Sequence, residues 1–197
     1  MGSESAVTSN MHALLIIDMQ NDFVLPGGPA AVAGAPATVP NIRRVLEKFR
    51  VGGWPVFHLI RHYRPDGSDV ELFRRDAFMQ GPAYLLPGST GARIVAELTP
   101  QPGEQVIVKP RFSAFMGTAL DLVLRRRGVR QLVVCGTQYP NCIRATVMDA
   151  VCLDYAVTLV TDAASAQTAA VAQANILDMA NIGVACRTTA QLEALDC

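Results

Sequence analysis

The sequence predicts a single α/β domain with a three-layer α/β/α fold, in which a six-stranded, mostly parallel, doubly wound sheet lies between helices. Short apolar runs alternate along the chain with helical patterns, which is typical of βαβ units. The first run, residues 13–17, is apolar without alternation, as expected for a strand that is buried on both faces. The chain has 197 residues, half of them hydrophobic, which is enough for one domain with a large core.

The first part of the chain contains two predicted strands and one clear helix. Residues 25–40 are rich in Pro, Gly and Ala and predict a long loop after the first strand. Residues 41–50 carry apolar side chains at spacings of three and four, which predicts an amphipathic helix. Two glycines then end this helix. Residues 54–60 form an apolar run and predict the second strand.

The segment 61–99 is the least regular part of the sequence. Residues 70–79 predict a helix because their apolar side chains fall near one face. Prolines and glycines interrupt the remainder of the segment, and residues 92–98 predict one short helix. The run Gln105–Val108 predicts the third strand, which ends directly at Lys109. Residues 110–117 predict a loop.

The last part of the chain repeats the alternation of helix and strand. Residues 118–127 predict a helix whose basic end complements the helix dipole. A strand at 132–136, a polar turn at 137–141 and a helix that opens at Cys142 come next. A strand at 157–160, an Ala-rich helix at 168–179, a strand at 183–188 and a short helix at 190–195 complete the domain.

Composition excludes several classes of function. The formal net charge is zero and no apolar run is long enough to span a membrane, so neither nucleic acid nor a membrane is an expected partner. Residues 1–11 are expected to be a disordered leader, because they lack the apolar stretch of a signal peptide, and residues 12–197 form the domain. Five cysteines without a C-x-x-C pair indicate free thiols in the cytoplasm.

Three ionisable residues follow predicted strands directly or after a short turn. Asp18 follows the first strand, Lys109 the third and Cys142 the fourth. In the usual winding these strands are close neighbours at the middle of the sheet, so the side chains are expected to meet beyond its carboxyl edge. Each residue also has a purely structural interpretation. Asp18 could cap a helix, Lys109 could be a solvated side chain and Cys142 could be a small packed residue. A thiol in the first turn of a helix, however, is favoured as a nucleophile by the helix dipole.

Four segments around these residues resemble the isochorismatase-like cysteine hydrolase superfamily. They read LLIIDMQNDF at 14–23, VIVKPRFSAF at 106–115, VVCGTQYPNCIRATVMDA at 133–150 and TLVTDAASA at 158–166. The superfamily has the fold predicted above, and its amidases include nicotinamidases and N-carbamoylsarcosine amidases. The resemblance implies a catalytic triad of Asp18, Lys109 and Cys142. It also implies a cis peptide bond between Thr137 and Gln138.

The chemistry of these residue types fits an amidase. Lys109 is expected to lower the pKa of the Cys142 thiol, and Asp18 can take the thiol proton and return it to the leaving ammonia. The thiolate attacks the amide carbon, and water then cleaves the thioester. The backbone N–H of Cys142 is expected to hold the oxyanion together with one from the preceding turn, whose candidates are Gln138, Tyr139 and Asn141.

The remaining site candidates are side chains that could contact a small-molecule substrate, although each could instead be an ordinary loop or core residue. They are Phe23, Arg61, His62, Arg64, Arg111 and Phe115. The nicotinamidases carry an Asp-x-His metal motif after the second strand. Here His58 and His62 are present without that motif, so His58 is predicted to be a core histidine. No metal and no cofactor are expected.

Three other functions stay open. An isochorismatase-type hydrolase would cleave a vinyl ether without a thiol, which Cys142 argues against. A non-catalytic oligomeric member would not need the triad. A thiol redox sensor would need a resolving cysteine, and none is placed in sequence as an obvious partner. The resemblance also implies a homo-oligomer, either a dimer or a tetramer.

Overall fold

A computed structural model describes residues 12–194, and one parallel sheet runs through them. Its strands are β1 (His12–Ile17), β2 (Val56–Ile60), β3 (Gln105–Val108), β4 (Gln131–Thr137), β5 (Ala156–Ser165) and β6 (Ala185–Arg187). Their order in the sheet is β3-β2-β1-β4-β5-β6, and every neighbouring pair is parallel. The predicted six-stranded, doubly wound sheet is confirmed. The predicted leader, and the end of the predicted last helix at residue 195, lie outside the described residues.

Helices cover both faces of the sheet. They are α1 (Asn21–Val24), α2 (Ala35–Val51), α3 (Leu72–Gln80), α4 (Leu120–Arg126), α5 (Arg144–Cys152), α6 (Ala169–Asn181) and α7 (Thr189–Glu193). Leu14 and Ile16 of β1 pack with α1, α2 and α7, whereas Leu15 and Ile17 pack with α4, α5 and α6. Alternation along a strand therefore divides the interior into two cores. None of the helices within residues 12–194 has the length and apolar character needed to cross a membrane.

The predicted loop at 25–40 is wrong in its last third, because α2 already begins at Ala35. Pro36 lies in the first turn, where a missing N–H costs nothing. Pro40 lies inside the helix and would cost about 3 kcal/mol by itself. Several side chains of α2, among them Val39 and Ile42, are buried in the core. Each contributes about 1.5–3 kcal/mol, so packing outweighs the proline.

Two further elements differ clearly in length from the prediction, and one helix buries a different face. The helix predicted at 92–98 is reduced to a 3-10 turn at Ala96–Leu98. The strand predicted at 157–160 continues to Ser165, because its pairing with β4 shifts register and then resumes. The apolar face predicted for α3 is wrong, since Phe78 is buried whereas Leu72 and Phe73 are exposed. The spacing of these side chains could not show which of them the rest of the fold covers.

The sheet reverses its winding between β1 and β4. From this central pair the chain proceeds outward to β2 and β3 on one side and to β5 and β6 on the other. Ligands of doubly wound folds bind in the crevice that this reversal opens at the carboxyl ends of the strands. The expectation that β3 is a central neighbour is wrong, because β2 lies between β3 and β1. Lys109 therefore has to reach across one strand.

Candidate active site

Lys109 and Asp18 form a buried ion pair at the carboxyl edge of the sheet. Lys109 Nζ lies 2.8 Å from Asp18 Oδ2, and neither side chain is more than 1% exposed. The strands that carry them are about 10 Å apart, given the usual spacing between neighbouring strands. The long lysine side chain spans this gap. The backbone of β2 fixes both residues, because Asp18 N–H donates to Leu59 O at 2.8 Å and Lys109 N–H donates to Ile60 O at 2.9 Å.

Cys142 lies in a π-helical turn, Tyr139–Ile143, between β4 and α5. The turn follows a cis peptide bond between Thr137 and Gln138, as the resemblance implied. The N–H groups of Asn141 and Ile143 both donate to the carbonyl of Gln138 at 3.2 Å. The buried hydroxyl of Tyr139 donates to Thr161 O at 3.0 Å. These bonds fix the backbone on both sides of the thiol.

The pKa of the Cys142 thiol is shifted upward, which is the opposite of the net depression that the sequence predicted. Burial and the carboxylate of Asp18 raise its pKa to about 11, although Lys109 and Arg61 act in the opposite direction. The expected depression by Lys109 and the helix dipole is therefore outweighed, because the residue is only 7% exposed. A neutral thiol next to a carboxylate needs that carboxylate to take its proton during attack.

Gly136 brings the ends of β1 and β4 into close contact. Its φ of +118° disfavours any side chain, and a Cβ placed there would lie within 2.9 Å of three backbone atoms of Ile17. Asp18 follows Ile17 directly and itself has a φ of +51°. The glycine thus lets the strand that leads to Cys142 pass directly beside the residue that precedes the carboxylate.

We expect Gly136→Ala to destabilise the protein by at least about 3 kcal/mol and to lower turnover, because the backbone of Ile17 cannot yield as a side chain would. The matched control is Gly128→Ala, whose φ is +70° and whose Cβ would meet nothing within 4 Å. That change should cost about 1 kcal/mol. Urea unfolding of both variants measures the difference. Equal costs would show that the close contact with Ile17 does not matter.

Arg61 is the substrate-binding candidate that the structure places next to the triad. It follows β2 and is 1% exposed. Its Nη1 donates to the carboxylate of Glu71 and, at 3.1 Å, to Pro110 O. Burial alone lowers the pKa of Arg61, but neighbouring acidic groups that include Asp18 and Cys142 raise it well above its ordinary value. The guanidinium is therefore a permanent charge beside the thiol.

The other candidates are spread around this edge. His62 is partly buried, and burial lowers its pKa. The exposed Arg111 donates to Asp69 O at 3.0 Å. Arg64 is also exposed, and Phe23 is buried in the core with α2. Phe115 is not at this edge, because its ring stacks on Tyr155, which precedes β5 at the opposite end of the sheet.

The histidines do not fit a metal centre. His58 is buried within β2, with its Nε2 2.8 Å from Glu104, and burial lowers its pKa. The prediction of a core histidine is confirmed. His62 has no second ligand among the described residues that would complete a site. No group of three or more His, Cys, Asp or Glu side chains between residues 12 and 194 is arranged to hold a metal ion.

Two polar residues that organise this edge were not predicted. The Gln20 side chain accepts from Arg61 N–H at 2.7 Å and donates to Arg61 O at 2.8 Å, so it joins the ends of β1 and β2. Glu71 accepts from Arg61 and, at 2.6 Å, from the hydroxyl of Tyr63. Gln20 lies in the motif DMQNDF, which was a usable signal. Glu71 lies in the irregular segment 61–99, where the sequence offered none.

Both the sequence and the fold are similar to those of known proteins. The isochorismatase domain matches residues 12–191. A protein of Arabidopsis thaliana named a probable inactive nicotinamidase is 48% identical over an alignment of 177 residues, and the match covers 87% of this chain and 89% of that protein. The ureidoacrylate amidohydrolase RutB of Azorhizobium caulinodans is 31% identical over an alignment of 170 residues, and the match covers 77% of this chain and 74% of that protein.

The solved structures include an isochorismatase family protein from Desulfovibrio vulgaris subsp. vulgaris str. Hildenborough. It is 55% identical, superposes with a TM-score of 0.90, and the match covers 93% of this chain and 97% of that one. Together with the domain match, it shows that the chain belongs to the isochorismatase-like superfamily.

Proposed function

We propose that the protein is a cysteine hydrolase that cleaves the C–N bond of a small amide, carbamoyl or ureido compound through a thioester at Cys142. The observation that carries this proposal is the buried Lys109–Asp18 pair beside a thiol at the carboxyl edge of the sheet. The amidohydrolase activity in the name of RutB supports the same class of reaction. A small-molecule substrate and a homo-oligomeric assembly are parts of this proposal.

The first step forms the tetrahedral intermediate that precedes the thioester, and it starts from the thiol rather than from a thiolate. As Cys142 Sγ attacks the amide carbon, its proton passes to Asp18 and the carbonyl oxygen becomes an oxyanion. Apart from Lys109 and the thiol, Asp18 meets no hydrogen-bond donor among the described residues, so its oxygens are available for that proton. Lys109 balances the charge of Asp18 before the transfer and orients the carboxylate.

The turn around Cys142 would hold the oxyanion. The N–H groups of Asn141 and Ile143 are already bonded to Gln138 O, which counts against Asn141 as an oxyanion donor. We propose the N–H of Cys142 as one donor, and Gln138 and Tyr139 stay candidates for a second. One such donor contributes about 3 kcal/mol to the stability of the transition state. The C–N bond then breaks, and the amine leaves with the proton from Asp18. Asp18 next takes a proton from water, which attacks the thioester and releases the acid and the free thiol.

A non-catalytic protein is the second candidate. The name of the Arabidopsis relative favours it, since that protein is described as a probable inactive nicotinamidase. The buried, neutral thiol of Cys142 would also suit an unreactive cysteine. The buried ion pair argues the other way, because a lysine and an aspartate taken out of water are costly to keep without a role.

An assay of ammonia release with hydroxylamine as a trap for the thioester distinguishes these functions. We expect wild-type protein to release ammonia from members of a panel of small amides and ureido compounds. With hydroxylamine present, part of the acid should appear as hydroxamate, or as hydroxyurea, because hydroxylamine competes with water for the thioester. Ammonia release without any such product would contradict the thioester. Pyruvate from isochorismate without ammonia would favour vinyl-ether hydrolysis, and no product from any substrate would favour the non-catalytic protein.

A further inference from the structure

One edge of the Arg61 guanidinium is free. Nη1 donates to Glu71 and to Pro110 O. Nε is buried and has no hydrogen-bond partner among residues 12–194, and within that same range Nη2 donates to none of the carbonyls or carboxylates. Nε and Nη2 carry parallel N–H groups that lie in the guanidinium plane along one edge. A buried donor such as Nε costs free energy unless an acceptor occupies it.

Two other arginines of this chain show what such an edge binds. Arg50 directs Nε and Nη2 at the two oxygens of Glu104, at 2.6 and 3.1 Å. Arg44 directs the same two nitrogens at the two oxygens of Glu193. The two parallel N–H groups match the two oxygens of a carboxylate, which makes this pairing stronger and more directional than a single bond. Among residues 12–194, Nη1 of Arg61 has acceptors, whereas Nε and Nη2 have no carboxylate that corresponds to Glu104 or Glu193.

A ligand bound to the free edge of Arg61 would lie in the active site, as the position and charge of Arg61 indicate. Arg61 follows β2, the strand between those that end at Asp18 and Lys109. Three cations meet there, Arg61, Arg74 and Lys109, against the carboxylates of Asp18 and Glu71. These five side chains carry one positive charge in excess, and the raised pKa of the Cys142 thiol disfavours a compensating thiolate. An anion of one charge would balance it.

The guanidinium is held in place before any ligand arrives. Glu71 and Pro110 O fix one terminal nitrogen. The rings of Tyr63 and Phe112 lie 5.6 and 5.9 Å from the guanidinium carbon. These contacts leave the free edge pre-organised, which reduces the entropy lost on binding.

We propose that the Nε–Nη2 edge of Arg61 binds a carboxylate of the substrate, so that the protein acts on amido acids or ureido acids in preference to neutral amides. The reaction on such substrates rests on the proposed function, whereas the binding of a carboxylate to Arg61 does not. The carboxylate on Arg61 would place the scissile carbonyl of the same molecule against Cys142. Arg61 would thereby determine specificity.

Binding to Cys142→Ala protein, which cannot turn over its ligand, tests the proposal. Isothermal titration calorimetry measures the affinities of three carboxylates and their neutral amides. The pairs are malonamate and malonamide, succinamate and succinamide, and ureidoacetate and ureidoacetamide. We expect at least one carboxylate to bind about tenfold to a hundredfold more tightly than its neutral partner. Adding Arg61→Lys, which keeps the charge but removes the parallel N–H groups, should reduce that preference to less than about twofold. Adding Arg44→Lys instead is the matched control and should change nothing.

The outcomes separate cleanly. Equal affinity for all three pairs, or no binding of any carboxylate at millimolar concentration, overturns the proposal before any change at Arg61 is needed. A preference that survives in folded Arg61→Lys protein, with folding checked by circular dichroism, overturns it as well. Should Arg61→Lys fail to fold, Arg61→Gln is the second variant, since it also removes the parallel N–H groups, and a carboxylate preference that survives in it overturns the proposal. A wild-type protein that binds carboxylates selectively but releases no ammonia would refute the hydrolase and leave Arg61 as a carboxylate-binding residue.

Discussion

Cys142→Ala is expected to lower kcat/KM for ammonia release by at least about 10⁴-fold, to the level of the uncatalysed reaction. The sulfur is the only atom in the proposed mechanism that bonds to the substrate carbon, and alanine offers nothing in its place. Stability should change only modestly, because a single atom is removed, although Cys142 packs within the buried core. Ammonia release from the best substrate of the panel measures the effect.

The matched control is Cys152→Ala, which removes a free thiol from the exposed end of α5, the helix that follows Cys142. Activity in this variant should equal that of the wild type. Equal ammonia release by wild type and Cys142→Ala would remove the thiol from the mechanism. Loss of activity in both variants would point to a general effect on the helix rather than to nucleophilic attack.

The sheet could be predicted because its central strands contain short apolar runs bounded by turns. Buried parallel strands need apolar residues on both faces, and this leaves an unmistakable pattern at 13–17 and 132–136. The order of the strands was less accessible. Lys109 and Asp18 do meet, but across β2, since the sequence does not show which strand lies at the edge.

Helix boundaries depended on long-range packing that no local pattern shows. The proline and alanine residues before Asn41 favour a loop, yet α2 begins at Ala35 because its side chains are buried beneath the sheet. The apolar side chains at 72, 73 and 79 suggested a buried face that the fold leaves exposed. In both cases the tertiary environment overrides the local preference.

The positions of the candidate site residues could be predicted, but not their energetics. Strand ends and motifs pointed to Asp18, Lys109 and Cys142, yet the direction of the pKa shift of the thiol depends on how deeply the sulfur is buried. The same holds for Arg61. Its ion pair with Glu71 joins two residues ten positions apart in the irregular segment 61–99, and only the folded chain shows which of its nitrogens is left free.

Asp18→Asn is expected to change two properties of Cys142 in opposite directions. Turnover should fall by about 10²–10⁴-fold, because asparagine cannot accept the thiol proton. Alkylation of the resting thiol by iodoacetamide at pH 8 should become faster. Asp18 raises the pKa of the thiol, so its removal lowers that pKa and increases the thiolate fraction at a fixed pH. In wild-type protein the alkylation rate should rise roughly tenfold per pH unit up to about pH 11.

Mass spectrometry of the labelled peptides gives both the rate and a built-in control. Cys135 is fully buried in β4, so its labelling reports unfolding and should stay slow. Asp178→Asn, which removes an exposed carboxylate paired with Arg144, should affect neither turnover nor labelling. A purely structural Asp18 would give slow turnover together with faster labelling of both Cys142 and Cys135. Slow turnover with slower labelling of Cys142 would mean that Asp18 favours the thiolate, and the proposed role of Asp18 as the base that deprotonates a neutral thiol would then be wrong.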